Sequence, residues 1–325
     1  MYFSKITATG AYVPESVITN DDLSKIVDTN DEWIVSRSGI RNRHFAVAED
    51  ENTSDIAAKA CKMIIERSNI SPEEIDLIIV ATVSADYSTP STACLVQAKV
   101  GAKNAIAFDI GAACSGFIFG LSIANKYIQA GTVKNVVVIG AEVLSKYLDF
   151  TDRGTCVLFG DGAAGVLLQR SQKRGIIAEE IGSDGSKGHA LTGGDTPVKN
   201  AFSKCDGKAN RSLKMDGRAI FDFATRQVPK SVESLLKKSE TDRDTIDFVI
   251  AHQANSRIVQ IISKKLKIPM EKFYLNMYEY GNTSSASIPI ALNEMMEKGL
   301  IKEDSLGLLT GFGAGLTWGS MLIRF

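Results

Sequence analysis

FDIGAACSGF, residues 108–117, is the stretch of sequence that decides the fold. The apolar run from Ala105 to Ile110 is typical of a buried strand, and the small residues after it lead into a long helical pattern. This order places Cys114 at a strand-to-helix turn, where its small neighbours leave room for a ligand. Because the first N–H groups of a helix are unpaired and its dipole is positive there, we expect the thiolate to be favoured. Cys114 is therefore a candidate covalent nucleophile, although a single cysteine is more often a small buried core residue.

Strand-like and helix-like patterns alternate along the rest of the chain. Residues 75–80 and 135–139 are continuous runs rich in β-branched residues, typical of strands buried on both faces. Residues 53–67 and 221–238 show helical spacing, and residues 71–74 (SPEE) are typical of a helix start. This alternation predicts an α/β fold.

The chain also repeats itself. Residues 75–81 (IDLIIVA) resemble residues 246–252 (IDFVIAH), which begin 171 residues later. Two pairs of glycines match in the same order, Gly111 with Gly281 and Gly131 with Gly299. Because these matches share nearly one offset, we predict two halves of like topology, residues 1–170 with the nucleophile and residues 171–325. The polar segment Thr192 to Leu213 is predicted to be an inserted loop, and such loops are often functional lids.

Composition and charge exclude several classes of protein. The chain has 325 residues and a formal net charge of −1, so we expect no binding to nucleic acid or to a membrane surface. The N-terminus lacks a signal-peptide layout, and the most apolar stretch, residues 105–124, is interrupted by Asp109. The chain has five widely spaced cysteines without a C-x-x-C motif: Cys61, Cys94, Cys114, Cys156 and Cys205. This arrangement argues against disulfides or a zinc site, and it favours a reducing, cytoplasmic location.

Two polar residues are candidates to act with Cys114. His252 ends a predicted strand, and open α/β sheets form their sites at the carboxyl ends of strands. Asn282 lies in a turn of small residues, at the place in the second half that the Cys114 turn occupies in the first. Pseudo-symmetry is expected to bring the two turns together. Taken alone, each residue also fits a structural role, as a hydrogen-bonded core histidine or as an asparagine that caps a turn.

Two glycine-rich stretches need separate interpretations. Residues 311–315 (GFGAG) follow a predicted strand, and their N–H groups suit an oxyanion hole, although a tight turn has the same pattern. Residues 160–165 (GDGAAG) match G-x-G-x-x-G, but residues 166–168 continue as a strand. The strand–turn–helix context of a dinucleotide site is therefore missing, and we predict a bulged turn between paired strands.

These motifs together resemble one family, β-ketoacyl-acyl-carrier-protein synthase III, the initiating condensing enzyme of type II fatty acid synthesis. The resemblance covers essentially the whole chain. Besides the Cys114 turn, it is carried by residues 31–35 (DEWIV), 38–41 (SGIR), 159–164 (FGDGAA), 252–255 (HQAN), 281–284 (GNTS) and 318–319 (WG). It implies the thiolase fold, in which two pseudo-symmetric halves form a layered α-β-α-β-α architecture, and it implies a homodimer.

The resemblance implies a decarboxylative Claisen condensation of an acyl-CoA with malonyl-acyl-carrier protein. Cys114 would hold the acyl group as a thioester, and His252 and Asn282 would stabilise the enolate that forms as carbon dioxide leaves. The N–H groups of Cys114 and Ala314 would form the oxyanion hole. No metal or cofactor is implied, because loss of carbon dioxide drives the step.

Binding residues also follow from the resemblance. Trp33 and Arg153 match the pair that stacks on the CoA adenine, Arg37 matches an arginine near the phosphates, and Gly217 and Asn255 match contacts to pantetheine. The segment expected to bind the acidic carrier protein comprises Gln253, Ala254, Asn255, Ser256, Arg257, Lys264 and Lys265. Without the resemblance, its basic residues would be interpreted as an ordinary solvated face.

The chain departs from the family pattern at two positions. Asp222 stands where some relatives carry a basic docking residue. Thr89 stands where acetyl-preferring relatives have a bulky phenylalanine. We therefore expect a deep acyl pocket that accepts longer or branched primers, lined by Thr89, Leu144, Phe159, Leu213 and Phe312.

Other functions stay open at this point. A condensing enzyme of secondary metabolism would share these motifs. An HMG-CoA synthase-like enzyme would need a carboxylate near the nucleophile, and Asp86 is the nearest candidate in sequence. A degradative thiolase would need a second cysteine within residues 311–319, which contain none, and an elongating enzyme would need histidine where Asn282 stands. A non-catalytic subunit typically lacks the nucleophile, and a cysteine hydrolase would transfer the acyl group to water.

Overall fold

The structure is a computed structural model that describes residues 2–204 and 207–325. The strands are β1 (Phe3–Tyr12), β2 (Val17–Thr19), β3 (Asn42–His44), β4 (Leu77–Ala81), β5 (Ile106–Ile110), β6 (Asn135–Glu142), β7 (Gly162–Ser171), β8 (Ile176–Ser183), β9 (Leu191–Thr192), β10 (Lys214–Met215), β11 (Phe248–Ala251), β12 (Leu306–Gly313) and β13 (Thr317–Arg324). The helices are α1 (Asn20–Ser24), α2 (Asp31–Ser38), α3 (Thr53–Ser68), α4 (Thr92–Val100), α5 (Gly116–Gln129), α6 (Gly217–Lys238), α7 (Ser256–Leu266), α8 (Met277–Tyr280) and α9 (Ser287–Glu297).

Two sheets of matching topology form the centre of the molecule. One has the order β1-β7-β6-β4-β5, and the other, starting from its matching edge, has the order β8-β13-β12-β11. In each sheet the strand pairs are antiparallel at one edge and parallel at the other. Phe273 extends the second sheet beyond β11 through a parallel bridge to Val249. The predicted α/β fold and internal likeness are confirmed. The division of the chain into two domains near residue 170 remains a prediction.

Helices separate the two sheets and cover their outer faces. The central core joins α5 and α9 to one face of each sheet, with Phe117 and Leu292 among its fully buried members. A second core packs α6 and α7 on the outer face of the second sheet, and a third packs α3 and α4 on the first. The sheets are therefore buried on both faces, which explains why β4 and β12 are almost continuously apolar. The layers follow the predicted α-β-α-β-α order.

The pseudo-symmetry extends to the turns that carry the candidate site residues. Ala113 (φ 46°) and Ser284 (φ 51°) both adopt the left-handed conformation, and each begins a single 3-10 turn just before α5 or α9. The two halves meet closely here, because a Cβ on Gly140 would lie 2.2 Å from the carbonyl oxygen of Ser285. Close approach at the centre of the molecule thus requires glycine at position 140.

Three local predictions need correction. Residues 72–74 form one 3-10 turn with a capping box and do not start a longer helix, because β4 begins three residues later. Residues 162–165 belong to β7 and pair with β6 in continuous register, so the predicted bulged turn is wrong. Residues 311–313 belong to β12, and the glycine-rich loop shrinks to the short turn before β13.

The irregular segment between β9 and β10 agrees with the predicted inserted loop. Residues 193–204 and 207–213 form an irregular excursion between β9 and β10. The described cysteines, Cys61, Cys94, Cys114 and Cys156, are free, and Cys205 lies outside the described residues. Over the same residues, the helices include none that is both long enough and apolar enough to cross a membrane.

Candidate active site

Cys114 occupies the turn between β5 and α5 and is only 5% exposed. Strand β12 runs directly against it, since a Cβ added to Gly313 would lie 2.6 Å from the backbone nitrogen of Cys114. Two adjoining cavities meet at this residue, and both include it in their walls. The thiol is therefore enclosed by the protein but open to ligands from two sides.

The surroundings of Cys114 favour the thiol over the thiolate. Burial raises its pKa to about 12, and the charge of Glu142 acts in the same direction, while the nearby Ser284 side chain opposes both. The helix N-terminus does not offset the loss of hydration. Burial of Cys114 therefore works against the expected thiolate.

His252 follows β11 and lies in the first cavity as a buried, neutral ring. Burial lowers its pKa to about 3, and Phe312 packs edge-on against it at 5.2 Å between ring centroids. Its Nδ1 is 2.7 Å from the Ser287 hydroxyl, which also accepts a long hydrogen bond from the Gln253 N–H. The Ser287 hydroxyl can act as the donor to Nδ1, and the ring would then carry its hydrogen on Nε2, as a hydrogen-bond donor to a ligand.

Asn282 is fixed by the backbone on both sides. Its N–H donates to the Leu158 carbonyl oxygen at 2.8 Å, and its carbonyl oxygen accepts from the Gly160 N–H at 3.0 Å. Its side-chain Oδ1 accepts from the Ser284 N–H at 2.9 Å, which leaves the amide N–H groups as donors. Cys114, His252 and Asn282 line one cavity, so the structure brings the three candidates together.

The mouth of this first cavity is cationic and aromatic. The Arg153 guanidinium lies 5.1 Å from the centroid of the Trp33 ring, and that of Arg37 lies 5.8 Å away. The Asn255 amide donates to the Arg37 carbonyl oxygen at 2.8 Å and ties α7 to α2. Gly217 also lines the cavity, at the start of α6. An indole beside guanidinium groups suits a nucleotide base and its phosphates.

The segment expected to bind the carrier protein is only partly exposed. Arg257, Lys264 and Lys265 are exposed on α7, and Lys265 also donates to the Thr225 carbonyl oxygen at 2.9 Å. Ala254, Asn255 and Ser256 are half-buried, whereas Asp222 on the neighbouring α6 is exposed. Gln253 is 1% exposed, and its amide bonds to the carbonyl oxygens of Ala251 and Tyr274. The expected contact between Gln253 and a partner is therefore wrong, because this side chain is used inside the protein.

The second cavity extends from Cys114 on the other side. Leu144, Phe159 and Leu213 line it as expected, together with Val83, Ala314 and the Ser284 turn. Phe312 lines the first cavity instead. Thr89 is exposed on the segment after β4 and is not among the described residues that line either cavity. The two cavities give no support to Thr89 as a lining residue, and its place in the acyl pocket stays a prediction.

Sequence reasoning missed Glu142, a fully buried carboxyl group near the nucleophile. It ends β6 and accepts hydrogen bonds from Thr82, Ser84 and Ser284 side chains, among others. Its only signal in the sequence was an acidic residue at the end of a buried apolar run. Asp86, the carboxylate that the sequence offered instead, bonds to Ser54 at the start of α3. In the described part of the chain, no group of three or more histidine, cysteine, aspartate or glutamate side chains is arranged to hold a metal ion.

Comparison with known proteins identifies the family. Models of the 3-oxoacyl-[acyl-carrier-protein] synthase III family match residues 108–185 and, for its C-terminal part, residues 236–325. The chain is 53% identical to the β-ketoacyl-[acyl-carrier-protein] synthase III of Streptococcus mutans over 100% of both chains. The crystal structure of the 3-oxoacyl-[acyl-carrier-protein] synthase III of Aquifex aeolicus superposes with a TM-score of 0.92 at 46% identity, covering 99% of this chain and 100% of that one.

A further solved structure is the priming β-ketosynthase of the R1128 polyketide biosynthetic pathway. It has a TM-score of 0.92 at 30% identity and covers 99% of this chain and 96% of that one. High identity along the full length of both chains, together with the shared fold, shows the relationship. This chain belongs to the β-ketoacyl-acyl-carrier-protein synthase III family.

Proposed function

We propose that this protein condenses an acyl-CoA primer with malonyl-acyl-carrier protein and so initiates fatty acid synthesis. The products are 3-oxoacyl-acyl-carrier protein, CoA and carbon dioxide. The observation that carries the proposal is the convergence of Cys114, His252 and Asn282 on one cavity. The aromatic and cationic mouth of that cavity suits CoA.

In the first half-reaction, Cys114 attacks the thioester carbonyl of the acyl-CoA, and CoA leaves. Trp33 and Arg153 bind the adenine at the mouth, and Arg37 neutralises phosphate charge. The acyl chain then occupies the second cavity, between Leu144, Phe159 and Leu213. The apolar walls stabilise this chain by removing it from water.

In the second half-reaction, the malonyl thioester enters through the first cavity. The Nε2–H of His252 and the amide N–H of Asn282 donate to its carbonyl oxygen, where negative charge develops as carbon dioxide leaves. Since both donors are buried and fixed, little reorganisation is needed. The resulting enolate attacks the acyl-enzyme, whose oxyanion is stabilised by the N–H groups of Cys114 and Ala314, and the bond from the acyl carbon to the Cys114 sulfur then breaks. The departure of carbon dioxide makes this step favourable without a metal or redox cofactor.

The acidic carrier protein is proposed to dock on the basic end of the site. Arg257 lines the mouth of the first cavity and is exposed at the start of α7, and Lys264 and Lys265 are exposed at its end. Such charges accelerate the encounter with an acidic partner and give the association rate a strong dependence on salt.

A homodimer is proposed to form on the face beside β5. This strand is at the edge of its sheet, and Ile106, Tyr87 and Val83 are 54%, 62% and 44% exposed there. Val83 also lines the second cavity, which therefore reaches the surface at this face. A second copy packed here would cover these apolar side chains and close the cavity, and Thr89 lies on the same exposed segment.

A second candidate is the priming condensation of a polyketide pathway. It is favoured by the likeness to the R1128 priming β-ketosynthase in both fold and sequence. The chemistry at Cys114 is the same in both cases, and the difference lies in the acyl primer and the carrier protein.

The test is intact-protein mass spectrometry after brief incubation with a mixture of straight and branched acyl-CoAs. We expect one acyl adduct on the wild-type protein and none on Cys114→Ala. The mass of the adduct identifies the primer. A folded wild-type protein that forms no adduct with any acyl-CoA would overturn the proposal.

A further inference from the structure

We propose that Arg43 is a positioning residue, which holds the backbone of Asn282 so that its side-chain amide meets the malonyl thioester. This inference rests on the proposed function, because Asn282 acts in its second half-reaction. Arg43 is not among the described residues that line either cavity. It therefore acts on the reaction through the chain segments that it binds.

Arg43 is a fully buried cation. It lies in β3 with a side chain that is 0% exposed. Its guanidinium donates to two backbone carbonyl oxygens, that of Ile18 at 3.1 Å and that of Val157 at 2.7 Å. Its Nε has no hydrogen-bond partner within the described part of the chain. An apolar side chain of similar volume would avoid the cost of burying a charge, so the feature that distinguishes arginine here is its fork of donors.

The Val157 carbonyl begins the segment that fixes Asn282. The next residue, Leu158, accepts from the Asn282 N–H at 2.8 Å, and the Gly160 N–H donates to the Asn282 carbonyl oxygen at 3.0 Å. These two bonds form a parallel bridge between Phe159 and Asn282. By holding the Val157 carbonyl, Arg43 restrains the peptide directly before the Leu158 acceptor.

The stem of Arg43 packs against both sides of this bridge. A Cβ on Gly160 would lie 3.2 Å from the Arg43 Cβ, and a Cβ on Gly281 would lie 3.1 Å from it. Gly160 follows Phe159, and Gly281 directly precedes Asn282. Arg43 therefore fills the space beside two residues that have no side chains of their own.

The backbone around Arg43 binds the same two segments. The His44 carbonyl oxygen accepts from the Asp161 N–H at 2.8 Å, and the Arg41 N–H donates to the Tyr278 carbonyl oxygen at 2.9 Å. Residues 41–44 thus connect the chain on one side of the bridge to the chain on the other. The guanidinium of Arg43 adds the contact nearest to the Leu158 acceptor.

Loss of this guanidinium should affect the two half-reactions differently. It leaves the Val157 carbonyl oxygen without its donor and frees space beside Gly160 and Gly281, so the bridge can shift. A misplacement of about 1 Å costs about 10²-fold in rate. The proposed oxyanion donors of acylation do not belong to this bridge, since Cys114 is held against β12 at Gly313.

The test measures Arg43→Met in both half-reactions, at saturating substrate and by mass spectrometry. We expect transfer from the isolated acyl-enzyme to malonyl-acyl-carrier protein to slow by about 10²-fold, and acylation of Cys114 to change by less than about threefold. Arg67→Met is the matched control, because Arg67 in α3 also donates to a backbone carbonyl oxygen, that of Thr9, at 3.1 Å. The control should change neither rate by more than about threefold.

A double-mutant cycle separates positioning from a general structural role. Asn282→Ala should slow condensation by about 10²–10³-fold, and adding Arg43→Met to it should cost less than about threefold more. Once the amide is absent, its position no longer affects the rate. If the double variant loses the product of the two single effects, Arg43 acts independently of Asn282 and the inference is overturned.

Thermal unfolding of the same samples shows whether each variant is folded. If Arg43→Met does not fold, Arg43→Lys takes its place in the cycle, with an expected loss of about tenfold in condensation for about one missing hydrogen bond. Failure of both variants to fold, an unchanged condensation rate or equal losses in both half-reactions would overturn the inference. A wild-type acyl-enzyme that gives no 3-oxoacyl product would instead overturn the proposed function.

Discussion

The contact between β12 and the nucleophile gives a sharp test of the oxyanion hole. Gly313 has no room for a side chain, since its Cβ would lie 2.6 Å from the Cys114 nitrogen and 3.1 Å from the Ala113 Cβ. The first distance is about 0.8 Å short of the 3.4 Å at which ordinary contact begins. Because backbone lies on both sides, Gly313→Ala must push β12 and the Cys114 turn apart.

The displacement moves both proposed oxyanion donors, because Gly313 contacts the Cys114 turn directly and Ala314 follows Gly313 in the chain. Loss of a single such donor costs about 10²–10³-fold in rate, and a misplacement of about 1 Å costs about 10²-fold. We therefore expect Gly313→Ala to slow acylation of Cys114 by about 100-fold. The steric overlap should also reduce the free energy of unfolding by about 1–3 kcal/mol.

Gly311→Ala is the matched control on the same strand. Its Cβ would meet the Ile288 Cδ1 at 3.3 Å and the Cys114 carbonyl oxygen at 3.5 Å, contacts that a small side-chain movement relieves. The assay is single-turnover acylation by acyl-CoA, measured with thermal unfolding of the same samples. If Gly313→Ala acylates within about threefold of Gly311→Ala, the proposed oxyanion hole is in the wrong place.

Three further substitutions test other parts of the site, and a fourth tests the dimer. Ser287→Ala removes the hydrogen-bond partner of His252 Nδ1 and should slow condensation about tenfold, which corresponds to the loss of about one hydrogen bond. The rate of Cys114 acylation should not change. Equal losses of rate in both half-reactions would contradict the role assigned to Ser287. Trp33→Ala should raise the KM for acyl-CoA about tenfold, because stacking on the adenine is lost. The reaction of the preformed acyl-enzyme with malonyl-acyl-carrier protein should not change. An unchanged KM would show that Trp33 does not bind CoA. Leu213→Trp should shorten the longest acyl-CoA accepted, by filling the second cavity. Thr89→Phe should shorten the longest acyl-CoA accepted only in the dimer, because Thr89 lies outside the cavity of its own chain. The dimer is verified by analytical ultracentrifugation. If the dimer of this variant accepts the same chain lengths as the wild type, the segment that carries Thr89 does not close the cavity.

The fold is predictable from the sequence because its signals are local and repeated. Buried strands such as β4 and β11 are runs of apolar residues, and the shared sequence offset identifies them as equivalent strands of the two halves. The same offset predicts that the turns of Cys114 and Asn282 are equivalent. His252 is identified by its place at the end of a strand.

The parts that sequence reasoning missed depend on burial and on contacts between distant residues. The exposure of Thr89 and the enclosure of Gln253 follow from the path of the chain after β4 and β11, which no local pattern encodes. The high pKa of Cys114 reflects the loss of water around it, which outweighs the helix N-terminus that the sequence did reveal. Glu142 bonds to Ser284, 142 residues away, and that pairing has no signal in either segment.

The central claim is that an acyl group on Cys114 is transferred to carbon. It is tested most directly by isolating the acyl-enzyme, adding malonyl-acyl-carrier protein without further acyl-CoA, and measuring all products by mass spectrometry. The account predicts one 3-oxoacyl-acyl-carrier protein and one carbon dioxide for each acyl group lost from Cys114. Release of the acyl group as a free acid, without a new carbon–carbon bond, would show a thioester hydrolase and contradict the account.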